Sequence, residues 1–254
     1  MSKLINLNAD MGESFGAFSI GNDGAMLDIV GSANIACGYH AGDPMAMNET
    51  VRLAVEKGVS IGAHPSFPDL QGFGRRKMSI PLSELEAMVI YQIGALMGIA
   101  TSQGTTVSHV KPHGALNNMA CEDMGMAQAI ARAINVISPS LILLAPSGSC
   151  LYRAGVDLGL PTAGEIFADR TYQEDGNLTP RSKTGAVIHD PEQSADQIVS
   201  FLETGQIGKG IDATIHSICV HGDNDNAIAI AEHVKERLRH EGYELVSLPK
   251  SLEV

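Results

Sequence analysis

The sequence predicts an α/β protein, a closed parallel (β/α) barrel of about seven strands forming one domain over residues 1–254. Three observations predict it. Apolar strand-like runs alternate with helix-period segments about seven times, with no linker or composition shift between them, and such alternation gives a parallel sheet. Chemistry-capable side chains stand at the end of nearly every run: Asp10, His40, His64, Lys111 with His113, Glu165, and His221 with Asp223. A barrel gathers its strand C-termini at one mouth, whereas an open doubly wound sheet concentrates them at one switch point. Finally, Asn6/Asn8/Asp10, His109/Lys111/His113 and Cys219/His221/Asp223 place polar residues at every second position. That phase turns them into the lumen, where branched apolar side chains are the norm.

The elements follow in order. Ile5, Leu7 and Ala9 make the apolar face of the first strand, and a short helix follows from Asp23. Ala33–Tyr39 is the second strand. Asp43-Pro44 is a cap followed by proline at the first helical position, opening a helix with Met47, Val51, Ala54 and Val55 on one face and Gly58 at its end. Val59–Ala63 is the third strand, ending at His64-Pro65. After a basic, glycine-rich loop, Ser83 and Glu86 read as a capping box for a long helix. Val107–Val110 is a strand stopped by a turn at Gly114, and residues near Asp123–Ile137 form the next helix. Leu141–Ala145 is a strand, Ser147 caps a helix that Gly159 ends, and Thr162–Phe167 is a strand carrying Glu165. The polar segment Asp169–Gly185 has no period, as functional loops often lack one. Asp190-Pro191 repeats the cap signal. Ser217–Val220 is the seventh strand, Ile228, Ala231, Val234 and Leu238 face inward from a last helix, and the tail from Tyr243 adds a strand or packs over the barrel end.

Composition narrows the function. Lys and Arg number 17 against 29 Asp and Glu, a net charge of −12, which argues against nucleic acid or an anionic membrane as partner. The four cysteines form no CxxC pair, so neither a zinc ribbon nor a disulfide framework is expected. No signal peptide is evident, and no run approaches the roughly 18 apolar residues that span a bilayer. The expected location is the cytoplasm.

A polar lumen is either a hydrogen-bonded structural network or a catalytic wall. Asp10 and Glu13 offer carboxylates at the mouth, although Glu13 also suits a turn. Lys111 is a candidate for a lowered pKa or for holding an anion. His64, His113 and His221 are candidates for acid–base work. Asp with several His also suits a divalent metal, but the spacings match no signature such as HExxH. Arg75, Arg76, Arg170 and Arg181 lie on loops expected to ring the mouth, where they grip a phosphate or carboxylate or stay solvated. Cys37 reads as a small buried residue rather than a nucleophile. Neither a GxxxxGK[ST] loop nor a GxGxxG turn is present.

The blocks LNADMGESFG, NIACGYHAGDP, GAHPSFPDLQGFGRRKM, VKPHGAL, GEIFADRTY, DGNLTPRSKTGAVI and ICVHGD run in order from residue 6 to about residue 223. Together they resemble the LamB/YcsF family. The resemblance implies a seven-stranded (β/α) barrel similar to the glycoside hydrolase/deacetylase superfamily. It implies ATP-dependent opening of the lactam 5-oxoproline to L-glutamate, with Mg²⁺ accompanying ATP. It also implies a three-component complex with 5-oxoprolinase subunits B and C, which resemble allophanate-hydrolase-like proteins. Asn117 stands where the family commonly has tyrosine. On this reading Asp10, His64, Lys111, His113, Glu165 and His221 are the candidate catalytic residues. Asn8, Glu13, His40, Arg75, Arg76, Arg170 and Asp223 are candidates for binding substrate. Lys111 and the mouth arginines would hold phosphate and carboxylate, Asp10 or a histidine would activate water, and His113 or His221 would protonate the leaving nitrogen. The competing readings are a metal-dependent deacetylase or carbohydrate hydrolase, and a non-catalytic binding component.

Overall fold

The computed structural model describes residues 3–181, 183–220 and 226–253. The first half of the chain folds as β1 (Lys3–Met11), α1 (Asp23–Met26), β2 (Ser32–Ala36), α2 (Pro44–Lys57), β3 (Ser60–His64), α3 (Leu82–Ser102) and β4 (Val107–Val110). It continues as α4 (Gly114–Glu122), α5 (Met124–Ile137), β5 (Ile142–Pro146), α6 (Cys150–Leu158), β6 (Thr162–Phe167) and α7 (Pro191–Thr204). The last part is β7 (Gln206–Ile207), β8 (Ile211–Asp212), β9 (Ser217–Val220), α8 (Ala227–His240), β10 (Tyr243–Val246) and α9 (Leu248–Ser251). The main sheet runs β1-β2-β3-β4-β5-β6-β9, and a β1–β9 pairing closes it into the expected seven-stranded parallel barrel. β10 pairs parallel with the first half of β1, Lys3↔Tyr243 through Asn6↔Val246.

Alternation along the strands separates two interiors. Ile5, Leu7 and Ala9 of β1 join Ile35, Val110 and Ile218 in the layer between strands and helices. The other face fills the lumen in three levels. Ile142, Leu144 and Ala163 pack with Leu248 of α9 as an apolar plug at the lower end. Asn6, Asn8, Ser32, Asn34, His109 and Ser217 form a buried polar middle. Asp10, His64, Lys111, His113 and Glu165 stand at the C-terminal ends. The middle level depends on Gly62 in β3: a Cβ there would lie 2.2 Å from the His109 ring, and the β3–β4 register shifts beside it.

Asp43 and Asp190 cap α2 and α7 as their Asp-Pro signals predict, each accepting two backbone N–H bonds from its own helix. Other expectations need correction. The face of α2 is completed by Thr50, and Val55 is exposed. The Ser83–Glu86 capping box does not form. Pro81 takes the N-cap position, its carbonyl accepts from the backbone of Glu84 and Leu85, and Glu86 accepts from Arg132 at 3.1 Å. Ser149, not Ser147, caps α6. A helix, α4, begins at Gly114 where a turn was expected, and the β7–β8 hairpin was not foreseen. β2 stops at Ala36, and β3 includes His64. By length and composition α3 is apolar enough to cross a membrane, contrary to the expectation from the sequence, yet it turns Leu85, Val89, Ile93 and Leu96 into the core.

Candidate active site

Lys111 follows β4 and reaches across the lumen to β1 and β6. Its Nζ donates to Asp10 Oδ1 at 3.0 Å and lies 2.9 Å from Glu165 Oε1, so one ammonium bridges two carboxylates. Asn8 Oδ1 and Cys219 Sγ are 3.3 and 3.0 Å from the same nitrogen. The β2 residue Asn34 donates to Asp10 Oδ1 at 2.9 Å, and Asn8 donates to Glu165 Oε1 at 2.9 Å. Desolvation pulls the Lys111 pKa down, but its anionic neighbours outweigh that and hold it well above the ordinary lysine value. A buried cation therefore stays charged because it is paired. Burial raises the Glu165 pKa, with Lys111 opposing, and its buried Oε2 has no hydrogen-bond partner among the described residues. The His109 pKa is pushed down to about 3 by burial first and by Lys111 and His64. His109 is thus a neutral member of the polar middle, bonded to Asn34 at 3.0 Å.

Above Lys111 lies a histidine cluster. His64 Nδ1 donates to the Lys111 carbonyl at 2.6 Å, and its Nε2 is 3.2 Å from Asp10 Oδ2. His113 Nε2 donates to the Phe73 carbonyl at 2.9 Å, and its Nδ1 faces His64 Nε2 at 3.0 Å. His40 stacks on His113 with centroids 3.7 Å apart, and its Nε2 is 3.1 Å from Glu13 Oε1. Ligand-type atoms of Glu13, His40, His64 and His113 all lie within 4.8 Å of one another. Phe73 holds its carbonyl over His113 from a left-handed backbone, φ +54, a conformation seldom kept without a reason. Gly74 follows at φ +65, and a Cβ there would meet His113 and His40 at 2.8 Å.

Asp10, Glu13, His64, Lys111, His113 and Glu165 open on a cavity of about 790 Å³, within the range of small-molecule sites. Arg75, Lys77, Arg153, Arg170 and Arg181 line its outer part. The cavity is therefore acidic and imidazole-rich inside and cationic at the rim, which suits a small anionic substrate entering from the mouth despite the acidic chain.

The family model for LamB/YcsF matches residues 5–253. The chain belongs to the LamB/YcsF family. It is 53% identical to a protein of Azoarcus sp. strain BH72 named as the A component of 5-oxoprolinase, over 97% of this chain and 98% of that one. It is 47% identical to the Bacillus subtilis protein of the same name, over 96% of each. The crystal structure of a lactam utilization protein from Thermus thermophilus superposes with a TM-score of 0.89 at 41% identity, covering 96% of this chain and 99% of that one. The catalytic domain of a peptidoglycan N-acetylglucosamine deacetylase from Eubacterium rectale shares the fold alone, at TM-score 0.52 and 12% identity, over 99% and 90% of the two chains.

In this LamB/YcsF chain the candidate residues divide by position. Asp10, Glu13, His64, Lys111, His113 and Glu165 converge. Asn8 lies beneath them, bonded to Glu165 and Ser217, and His40 lies behind Glu13; neither lines the cavity. Arg76 is also outside the lining, because its guanidinium is tied to Asp69. Arg170 lines the cavity but donates to the carbonyls of Ala186 and Thr179, so it braces the loop after β6. Burial, with Arg181 nearby, lowers its pKa to about 10. His221 and Asp223 lie outside the described residues. The Cys37 thiol is pushed up to about 12 by burial, which leaves no thiolate for attack. Sequence reasoning missed Phe73, Lys77 and Arg153. Lys77 adjoins the Arg75-Arg76 pair and shares its basic signal, whereas nothing local marks Phe73 or Arg153.

Proposed function

We propose that this chain is the lactam-opening component of an ATP-dependent 5-oxoprolinase that works with partner subunits B and C in the cytoplasm. The observation that carries the chemistry is the Asp10–Lys111–Glu165 bridge facing the cavity. The names of the relatives supply the substrate. Free cysteines fit a reducing compartment.

A lactam carbonyl is a poor electrophile. Transfer of the γ-phosphoryl group of Mg-ATP to the lactam oxygen, with ADP leaving, makes the ring carbon attackable, and this step belongs to the partners. Water then adds to that carbon in the barrel. Asp10 takes the proton from water, and Glu165, protonated more readily than an ordinary glutamate, gives one to the ring nitrogen as the C–N bond breaks. The product is an acyl phosphate of glutamate. A second water cleaves it to glutamate and phosphate, so two waters are consumed in all. Lys111 holds both carboxylates rather than the phosphate, since its ammonium is already surrounded. Arg75, Lys77, Arg153 and Arg181 supply cations for the substrate carboxylate and phosphoryl group.

The test is glutamate formed from 5-oxoproline and ATP by this chain with both partners, and with each omitted in turn. Glutamate only in the complete mixture supports the proposal. Glutamate without this chain, or none with folded partners, overturns it. Asp10→Asn in the complete mixture should cost at least about a hundredfold in turnover. Full activity in Asp10→Asn and Lys111→Ala would reduce the barrel to a binding component.

A further inference from the structure

We propose that Glu13, His64 and His113 form a site for one divalent first-row transition metal ion, zinc being the best match, and that His40 holds Glu13 in place. Two backbone carbonyls fix where the imidazole protons lie. A carbonyl oxygen only accepts, so His64 carries its proton on Nδ1, toward Lys111 O, and His113 carries its proton on Nε2, toward Phe73 O. With both rings neutral, the lone pair of His64 Nε2 faces the lone pair of His113 Nδ1 at 3.0 Å, and Asp10 Oδ2 lies 3.2 Å from the same Nε2. Two facing lone pairs repel unless a cation lies between them or beside them.

The surroundings select a metal ion as that cation. Metal-ligating histidines almost always donate the other ring N–H to a carbonyl or carboxylate, and both histidines here do so. Neutral imidazole is the ligating form. Bonds of about 2.0–2.2 Å allow two donors on one ion to lie up to about 4.2 Å apart. His64–His113 at 3.0 Å and His113–Glu13 at 3.9 Å fall inside that span. The left-handed Phe73 and the glycine after it fix the second carbonyl.

His40 does not join the ligand set. Its ring is parallel to that of His113 within 8°, and an imidazole lone pair lies in the ring plane, so one ion cannot lie in both planes. Its Nε2 instead meets Glu13 Oε1, the outer-shell contact that orients a ligating carboxylate. Two imidazoles and a carboxylate with open positions make a catalytic type of zinc set. Magnesium prefers oxygen donors, so this ion is distinct from any that accompanies ATP. When bound, it supplies a Lewis acid at the mouth and lowers the pKa of a coordinated water.

The test needs neither partner nor ATP, so it can fail independently of the proposed function. The full chain, made without a histidine tag, is analysed for metal content, stripped with chelator, and titrated with Zn²⁺ and Co²⁺. About one equivalent of zinc and visible d–d bands from bound cobalt are expected. Glu13→Gln and His113→Asn should weaken binding by more than the roughly ten- to hundredfold typical of outer-shell changes. His40→Ala should weaken it by about ten- to a hundredfold and provides the check if a ligand variant fails to fold. Folding is followed by circular dichroism. Negligible zinc and no cobalt bands in a folded chain would overturn the proposal and leave the histidines sharing a proton. Binding that these variants leave unchanged would overturn it too, placing the ion elsewhere.

Discussion

Lys111 and Glu165 set the electrostatics of the lumen. Burial raises the Glu165 pKa, and Lys111 only partly opposes it. The folded chain therefore holds this proton more tightly than the unfolded one. Stability falls as pH rises from the ordinary glutamate value, about 4.3, to the raised folded value, and stays lower above it. Glu165→Gln removes that decline. Its urea midpoint should vary less with pH across this window and be no lower than wild type at neutral pH, while turnover of the assembled complex falls at least about a hundredfold. An unchanged pH slope would show that Glu165 is not the group responsible. Alternation in the sequence put His109, Lys111 and His113 on one face, and all three do face the lumen. It was silent on depth. His109 lies level with Asn34 and Gly62, Lys111 with Asp10 and Glu165, and His113 at the mouth, because depth depends on which residues the neighbouring strands bring alongside.

The β3–β4 pair shows how one element makes room for another's side chain. Gly62 lies against the His109 ring, and the register shift between Ile61 and Gly62 lets the strands pass it. Gly62→Ala drives a methyl into a buried imidazole and should destabilise by about 1–3 kcal/mol in urea denaturation. His109→Ala in the same chain should recover part of that loss. Two additive losses would place the strain elsewhere. Helices were readable where a local signal stands alone: Asp43 and Asp190 before proline, and Asp123 before α5. They were misread where a neighbour intervenes. Pro81 displaces the box written by Ser83 and Glu86. α4 begins at a glycine, with no side-chain cap because the His113 ring is committed to Phe73 and His64. Its start was therefore invisible to propensity.

The whole molecule separates stability from chemistry along the barrel axis, as barrels generally do. The spread of reactive residues over nearly every strand end foretold a closed barrel. The closing pair, β1 with β9, is a contact between distant segments, and no local pattern encodes it. The lower end was equally hidden, since Leu248 in a short tail helix carries no sign that it plugs the lumen. That plug gives a clean separation experiment. Leu248 is fully buried against Ile142, Leu144 and Ala163, while the polar middle lies between it and Asp10. Leu248→Ala leaves a cavity and should cost about 2–5 kcal/mol, lowering Tm by roughly 2–4 °C per kcal/mol in a chain of this size. Well below its melting point, the variant in the assembled complex should turn over 5-oxoproline at the wild-type rate. The Asp10–Lys111–Glu165 bridge hangs from the upper strand ends, beyond the polar middle. A fall in kcat without unfolding would mean that strain at the bottom travels up the strands, and that the buried polar middle transmits it instead of isolating the mouth.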